Sequence, residues 1–299
     1  MNNRWWIYQK ERFPLLAHGS MVAVFCLSVM LFSSLQQEDI PDLWRIVGAI
    51  ISALILFFQL RVADEFKDAE IDSRYRPHRA VPRGLVRLPE LARIARIGAV
   101  LQFLIALSID VGLIPILVLV WAYMGLMTRE FFVAAWLKRT PSIYLLSHML
   151  IMPMIAFYVS AFDWLCTCRE MPAGLPWVLV FSFACGLVLE LGRKIKAPAS
   201  ERAGVETYSA LWGPGIATSV WAGAVLVSVL AWGQAAALVV GAGVYLTLGF
   251  AVLITAAAVA ILIRRSRRAL AGFRCVEPAS GLVAMALYVG LAPLQLLLS

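Results

Sequence analysis

Asp64, Asp68 and Asp72 recur at every fourth position of the stretch R-V-A-D-E-F-K-D-A-E-I-D-S-R-Y-R-P-H-R-A-V-P-R-G, residues 61–84. On a continuous helix this period places three carboxylates on one face, about 6 Å apart along the axis. Carboxylates so spaced suit a cation. With no histidine or thiol among them they suit a hard one such as magnesium, which is usually held by one or two carboxylates together with substrate phosphates. Glu65 lies within the row, and Arg74, Arg76, Arg79 and Arg83 follow it; guanidinium groups match phosphate oxygens. Acid and arginine in one segment therefore read as a metal-diphosphate site. The row also has a plainer reading, a solvated acidic helix end with Lys67 and Arg74 as partners, and the rest of the chain decides between the two.

The elements that must position these groups are apolar. The chain has 299 residues, 62% hydrophobic and 15% charged, whereas a soluble domain is roughly half apolar. This composition predicts an all-α, polytopic membrane protein. Apolar runs long enough to span a bilayer lie at 14–35, 43–63, 91–109, 112–128, 142–162, 174–192, 211–232, 235–263 and 279–298. They predict a nine-helix bundle forming a single transmembrane domain over residues 1–299. Loop charge gives an independent check, because cytoplasmic loops carry the Lys and Arg excess. With the N-terminus cytoplasmic, 24 of the 26 basic residues fall on inside segments, and only Arg45 and Arg169 fall outside. The expected C-terminus is therefore outside, and the cytoplasmic loops at 61–93, 129–141 and 190–211 share one face. A multi-pass protein of the cell (inner) membrane is expected.

The net charge of +8 is spread between apolar runs, so the expected partner is the lipid bilayer and not nucleic acid. R-R-S-R-R, Arg264 to Arg268, reads as a topology anchor touching anionic lipid. No Cys/His group has zinc-ligand spacing, and Cys26 and Cys185 read as buried apolar residues. Pro115 and Pro153 are expected to kink their helices.

Two further cytoplasmic loops carry candidate groups. W-L-K-R-T-P presents Lys138 and Arg139, which taken alone are topology residues. E-L-G-R-K-I-K-A-P presents Glu190, Arg193 and Lys194 after an unbroken apolar stretch. An acid at that depth is a functional candidate, with Arg193 or Lys194 its expected partner. His148, inside the fifth run, reads either as an acceptor-binding or proton-removing group or as a hydrogen-bonded packing histidine.

With these motifs placed, the chain resembles the UbiA superfamily of intramembrane prenyltransferases (4-hydroxybenzoate polyprenyltransferase-like), which have nine helices and acidic motifs after helices two and six. The first family motif is Asn-Asp-x-x-Asp-x-x-x-Asp followed by an Arg-Pro-x-Pro-x-Gly turn. Asp64 stands at the Asn and Glu65 at the first Asp, Asp68 and Asp72 match, and Arg79, Pro82 and Gly84 keep the turn, with Ala80 at its first proline. Lys138-Arg139 resembles the basic pair that holds the donor diphosphate. Gly204, Val205 and Thr207 match the segment that follows the second motif, but that motif's acidic pair becomes Glu190 and Lys194. Either one metal is bound less completely, or the Lys194 ammonium replaces a second metal, or catalysis is lost or altered.

The resemblance implies Mg2+-dependent transfer of a prenyl or polyprenyl group from a polyprenyl diphosphate donor to a small, aromatic acceptor at the cytoplasmic membrane face. It implies Asp64, Glu65, Asp68, Asp72 and Glu190 at the metal, and Arg79, Lys138, Arg139, Arg193 and Lys194 at the diphosphate. Asp68, Asp72 and Lys194 would be catalytic, and His148 would bind the acceptor. Transfer to a non-aromatic acceptor, or a transporter or non-catalytic role on the same scaffold, are the alternatives. A transporter would place paired ionisable groups near the bilayer midplane, and no span centre here carries Asp, Glu, Lys or Arg.

Overall fold

The computed structural model describes residues 3–36, 40–167, 170–201, 205–239 and 275–292, with Gly249, Val252, Leu253, Ala257 and Phe273. In a bilayer the backbone has no water to bond, so long apolar runs satisfy their N–H and C=O groups as helices. Among the described residues the secondary structure is entirely helical. Six helices are long and apolar enough to cross a membrane: α2 (Leu15–Gln36), α3 (Leu43–Lys67), α5 (Leu88–Ile109), the pair α8 (Pro141–Met149) and α9 (Ile151–Trp164), α10 (Leu175–Arg193) and α12 (Pro214–Ala236). Two shorter apolar helices are α6 (Leu113–Thr128) and α13 (Val276–Leu291). These cover eight of the nine expected runs. The run at 235–263 and the cluster Arg264 to Arg268 lie largely or wholly outside the described residues.

Four short helices flank the bundle: α1 (Arg4–Arg12), α4 (Ala69–Tyr75), α7 (Ala134–Arg139) and α11 (Tyr208–Trp212). The core is built from large side chains on several helices, with Phe32, Tyr158, Phe162, Phe181, Trp221 and Trp232 fully buried. Cys26 and Cys185 are buried among them, as expected. α10 runs against α9, α12 and α13. Its close approach to α13 needs Gly192, because a Cβ there would lie 2.0 Å from Ser280 Oγ. On α5, Ile97, Val100, Leu104 and Leu107 are exposed at spacings of three and four, the stripe of a helix turned to lipid.

The two expected kinks separate. Pro153 has no N–H for the Met149 carbonyl, and the α8–α9 break falls at Leu150, between that carbonyl and the proline. Pro115 sits in the first turn of α6, where a helix N–H has no internal partner to lose, so it starts the helix and does not bend it.

A second small core lies beneath the acidic stretch. Tyr8 of α1 packs with Val62 of α3, Ala80 and Val86 of the following turn, and Leu91 of α5. Arg4 bonds Glu90 at 2.9 Å and Arg83 bonds Glu11 at 2.8 Å. The N-terminal helix is thereby clamped to the turn that follows the aspartates and to the start of α5.

Candidate functional site

Asp68 ends α3 and begins α4, with φ −89° and ψ 0°. The two helices nevertheless stay in register. The Asp68 amide donates to the Asp64 carbonyl at 2.9 Å and the Asp72 amide to the Asp68 carbonyl at 2.7 Å, so the row continues along one face.

The carboxylates of that row have different partners. Asp64 is half exposed and 3.4 Å from Arg61. Asp72 is buried and held by Arg76 at 2.9 Å and Arg79 at 2.6 Å. Arg79 thus ties the row to the turn that follows, where Gly84 takes φ +75°, a left-handed conformation that glycine adopts without steric cost. Glu65 is buried and bonded to Arg12 of α1 at 2.5 Å. Asp68 is partly buried and, among the described residues, no Lys, Arg or His nitrogen lies within ion-pair distance of it. Burial, then the charges of Asp64 and Asp72, push its carboxyl above the usual carboxylate range. Lys67 and Arg76 act the other way without cancelling this.

Glu190, in the last turn of α10, bonds Arg193 at 2.6 Å and Lys194 at 2.9 Å. The Lys194 ammonium also lies over the Tyr208 ring, 5.6 Å from its centroid. The Lys194 carbonyl accepts the Tyr208 amide at 3.0 Å, which pins the segment around Val205 and Thr207 to the end of α10. Thr207 caps α11 by accepting the Ala210 amide at 3.2 Å, and its hydroxyl donates to Glu201 at 2.7 Å. Burial, then the Glu190 charge, raise the Tyr208 hydroxyl above the ordinary tyrosine value. Gly204 lies outside the described residues.

Tyr144 and Arg193 each feel the charge of both acidic segments. The Tyr144 hydroxyl lies in the combined field of Glu130, Asp64, Glu190 and Asp68, and Arg193 in that of Glu190, Asp64 and Glu277. Lys138 and Arg139, on α7, are exposed, and among the described residues they form no ion pair with either segment.

His148 is buried in the last turn of α8. Its Nδ1 is 2.9 Å from the Tyr144 carbonyl. A carbonyl only accepts, so Nδ1 carries the proton and Nε2 is left to accept from Lys67 Nζ at 3.2 Å. The Tyr144 ring stacks on the imidazole with centroids 3.9 Å apart.

Glu130 is the residue the sequence reading passed over. It salt-bridges Lys67 at 2.6 Å and lies 3.4 Å from His148 Nε2. It sits in a short 3-10 turn in which Glu130, Phe131 and Phe132 have φ of 50°, 52° and 61°. Three successive non-glycine residues in the left-handed region cost about 1–2 kcal/mol each. The signal was present but weaker than at Glu190, since Glu130 lies two residues beyond the apolar run at 112–128, whereas Glu190 lies inside its own.

The five expected metal carboxylates do not form one cage. Among the described residues no three His, Cys, Asp or Glu side chains converge as a metal site, because Glu65 and Asp72 point into arginines. Magnesium needs only one or two protein carboxylates when phosphate oxygens and water complete its shell. Asp68, desolvated and beside a second carboxylate, fits that requirement.

A profile of the UbiA prenyltransferase family matches residues 22–276. No curated protein sequence matches the chain significantly. Among solved structures, the apo structure of a UbiA homolog from Aeropyrum pernix K1 is similar at TM-score 0.67 and 14% identity, over 89% of this chain and 96% of that one. A digeranylgeranylglyceryl phosphate synthase is similar at TM-score 0.63 and 13% identity, over 95% and 99%. A UbiA homolog from Archaeoglobus fulgidus bound to DMAPP and Mg2+ is similar at TM-score 0.55 and 10% identity, over 91% and 98%. At these identities the structural likeness establishes the fold.

Proposed function

The chain belongs to the UbiA prenyltransferase family, and from that premise we propose that it transfers a prenyl or polyprenyl group from an isoprenoid diphosphate to a small acceptor, with Mg2+, at the cytoplasmic membrane face. The observation that carries this reading is Asp68, a desolvated carboxylate next to Asp64 with no ion-pair partner among the described residues and with its proton affinity raised. At the end of α10 Glu190 holds Arg193 and Lys194 in place. A carboxylate short of cations thus shares one site with two cations gathered on a single acid.

In this reading Asp64 and Asp68 hold the metal. Glu65 and Asp72, taken by Arg12 and by Arg76 and Arg79, keep the helix end and its turn in place. Lys138 and Arg139 are free to take diphosphate oxygens, and Lys194 supplies the charge that a second metal would bring. Magnesium held by these two carboxylates would supply the positive charge that offsets the departing diphosphate. The allylic C–O bond breaks with its electron pair leaving on the diphosphate, the acceptor forms the new bond to the allylic carbon, and the proton it loses goes to the released diphosphate or to water. His148 lines the acceptor side. The surrounding body is one domain of nine spans in the cell membrane, with the N-terminus cytoplasmic and the C-terminus outside.

An aromatic acceptor is the first reading. Likeness to a digeranylgeranylglyceryl phosphate synthase favours a non-aromatic acceptor as the second. The test is diphosphate release by the purified protein with Mg2+ and donors of increasing chain length. Asp64→Ala and Asp68→Ala are expected to abolish release, and wild-type turnover in either variant overturns the metal assignment.

A further inference from the structure

Lys67 stands inside the acid row, three residues after Asp64 and one before Asp68. At the first of these spacings a lysine on a helix ordinarily pairs with the acid. Here it does not. An ammonium has three N–H donors, and all three have partners elsewhere: Glu130 at 2.6 Å, the Tyr144 hydroxyl at 2.6 Å and His148 Nε2 at 3.2 Å. The ammonium also lies over the Tyr144 ring, 4.9 Å from the centroid. Each partner is itself held: His148 by its Nδ1 bond to the Tyr144 carbonyl, and Glu130 by a turn of three left-handed residues. The chain bears that backbone strain at the residue that meets Lys67.

We propose that Glu130 is a positioning residue that parks the Lys67 ammonium on Tyr144 and His148, away from the acid row, and so leaves Asp68 open, and Asp64 with Arg61 as its one basic partner among the described residues, for a divalent cation to bind. The inference rests on the prenyl-transfer reading above, which makes that row a metal site. It explains why Lys67 pairs with Glu130 and not with Asp64, the acid three residues before it. It also gives Tyr144 and His148 a role in the free protein, as the other two anchors of the lysine. Without Glu130 the ammonium has a short path back to Asp64 or Asp68, where its charge competes with the metal for the same oxygens.

The test is divalent-cation binding by the full-length protein in detergent or nanodiscs, read by Mn2+ electron paramagnetic resonance with Mg2+ competition, with and without inorganic pyrophosphate. Glu130→Gln is expected to weaken binding about three- to tenfold, the size of one added unit charge near a partly exposed site. Adding Lys67→Met to Glu130→Gln is expected to restore affinity to that of Lys67→Met alone. A purely structural role for Glu130 predicts no such rescue, and its absence overturns the proposal, as does an unchanged affinity in Glu130→Gln. Should Glu130→Gln fail to fold, Tyr144→Phe removes one anchor, and a smaller loss again abolished by Lys67→Met is expected; no loss overturns the proposal. A wild-type protein that binds no divalent cation even with pyrophosphate refutes the prenyl-transfer reading itself. Binding that is indifferent to Glu130 and Tyr144 refutes only the parking of Lys67.

Discussion

Arg12 reaches Glu65 across 53 positions of sequence, Nε to Oε1 at 2.5 Å, with the two side chains only 10% and 1% exposed. One partner lies on the amphipathic N-terminal helix and the other in the last turn of the long apolar helix α3. Glu65 adjoins Asp64 and occupies a position expected to bind metal, yet its charge is met by the protein.

Breaking this pair strands a buried charge. Arg12→Met is expected to destabilise the protein by about 3 kcal/mol, and Arg12→Met with Glu65→Leu by much less, because no carboxylate is then left unpaired. Thermal unfolding of the two variants in one detergent measures the difference. A double variant as unstable as the single one contradicts the assignment.

Asp68 is expected to destabilise the metal-free protein at neutral pH. Its folded carboxyl holds the proton more tightly than an unfolded aspartate. Between those two values the folded state binds more protons, so stability falls as pH rises through the window. Asp68→Asn should therefore melt higher than wild type at neutral pH in the presence of a chelator, with the gap closing below the ordinary aspartate range. Added Mg2+ should raise the wild-type melting temperature and leave Asp68→Asn unmoved.

Lys194 should set the magnesium requirement. Lys194→Asp removes a cation bonded to Glu190 at 2.9 Å and restores two acids four residues apart. The concentration dependence of diphosphate release on Mg2+ is expected to become steeper, as a second ion is admitted. A curve superimposable on wild type removes Lys194 from the mechanism.

Lys138 and Arg139 are exposed, and replacing both by alanine should change stability by less than about 0.5 kcal/mol. Donor KM is nevertheless expected to rise about tenfold or more, since charge-assisted bonds to phosphate are worth roughly 1.5–3 kcal/mol each. An unchanged KM returns the pair to a topological role.

Much of the architecture was legible without coordinates. Eight apolar runs became helices close to their expected bounds because hydropathy acts on each segment by itself, wherever its neighbours lie. The acid row was legible for the same reason, as a period of four stays on one face through the break at Asp68. Pro115 was misread although its run starts at 112, because a proline in the first turn starts a helix and does not bend it.

The amino-acid sequence by itself determined which segments form long apolar helices and which carboxylates and bases cluster at their ends, since both follow from hydropathy and helical period. The tertiary structure alone decided which of those charges remain free. Arg12 takes Glu65, Arg76 and Arg79 take Asp72, and Glu130 takes Lys67. Whether a carboxylate binds metal or guanidinium depends on which opposite charge lies within about 4 Å, and for Glu65 and Lys67 that neighbour comes from distant sequence.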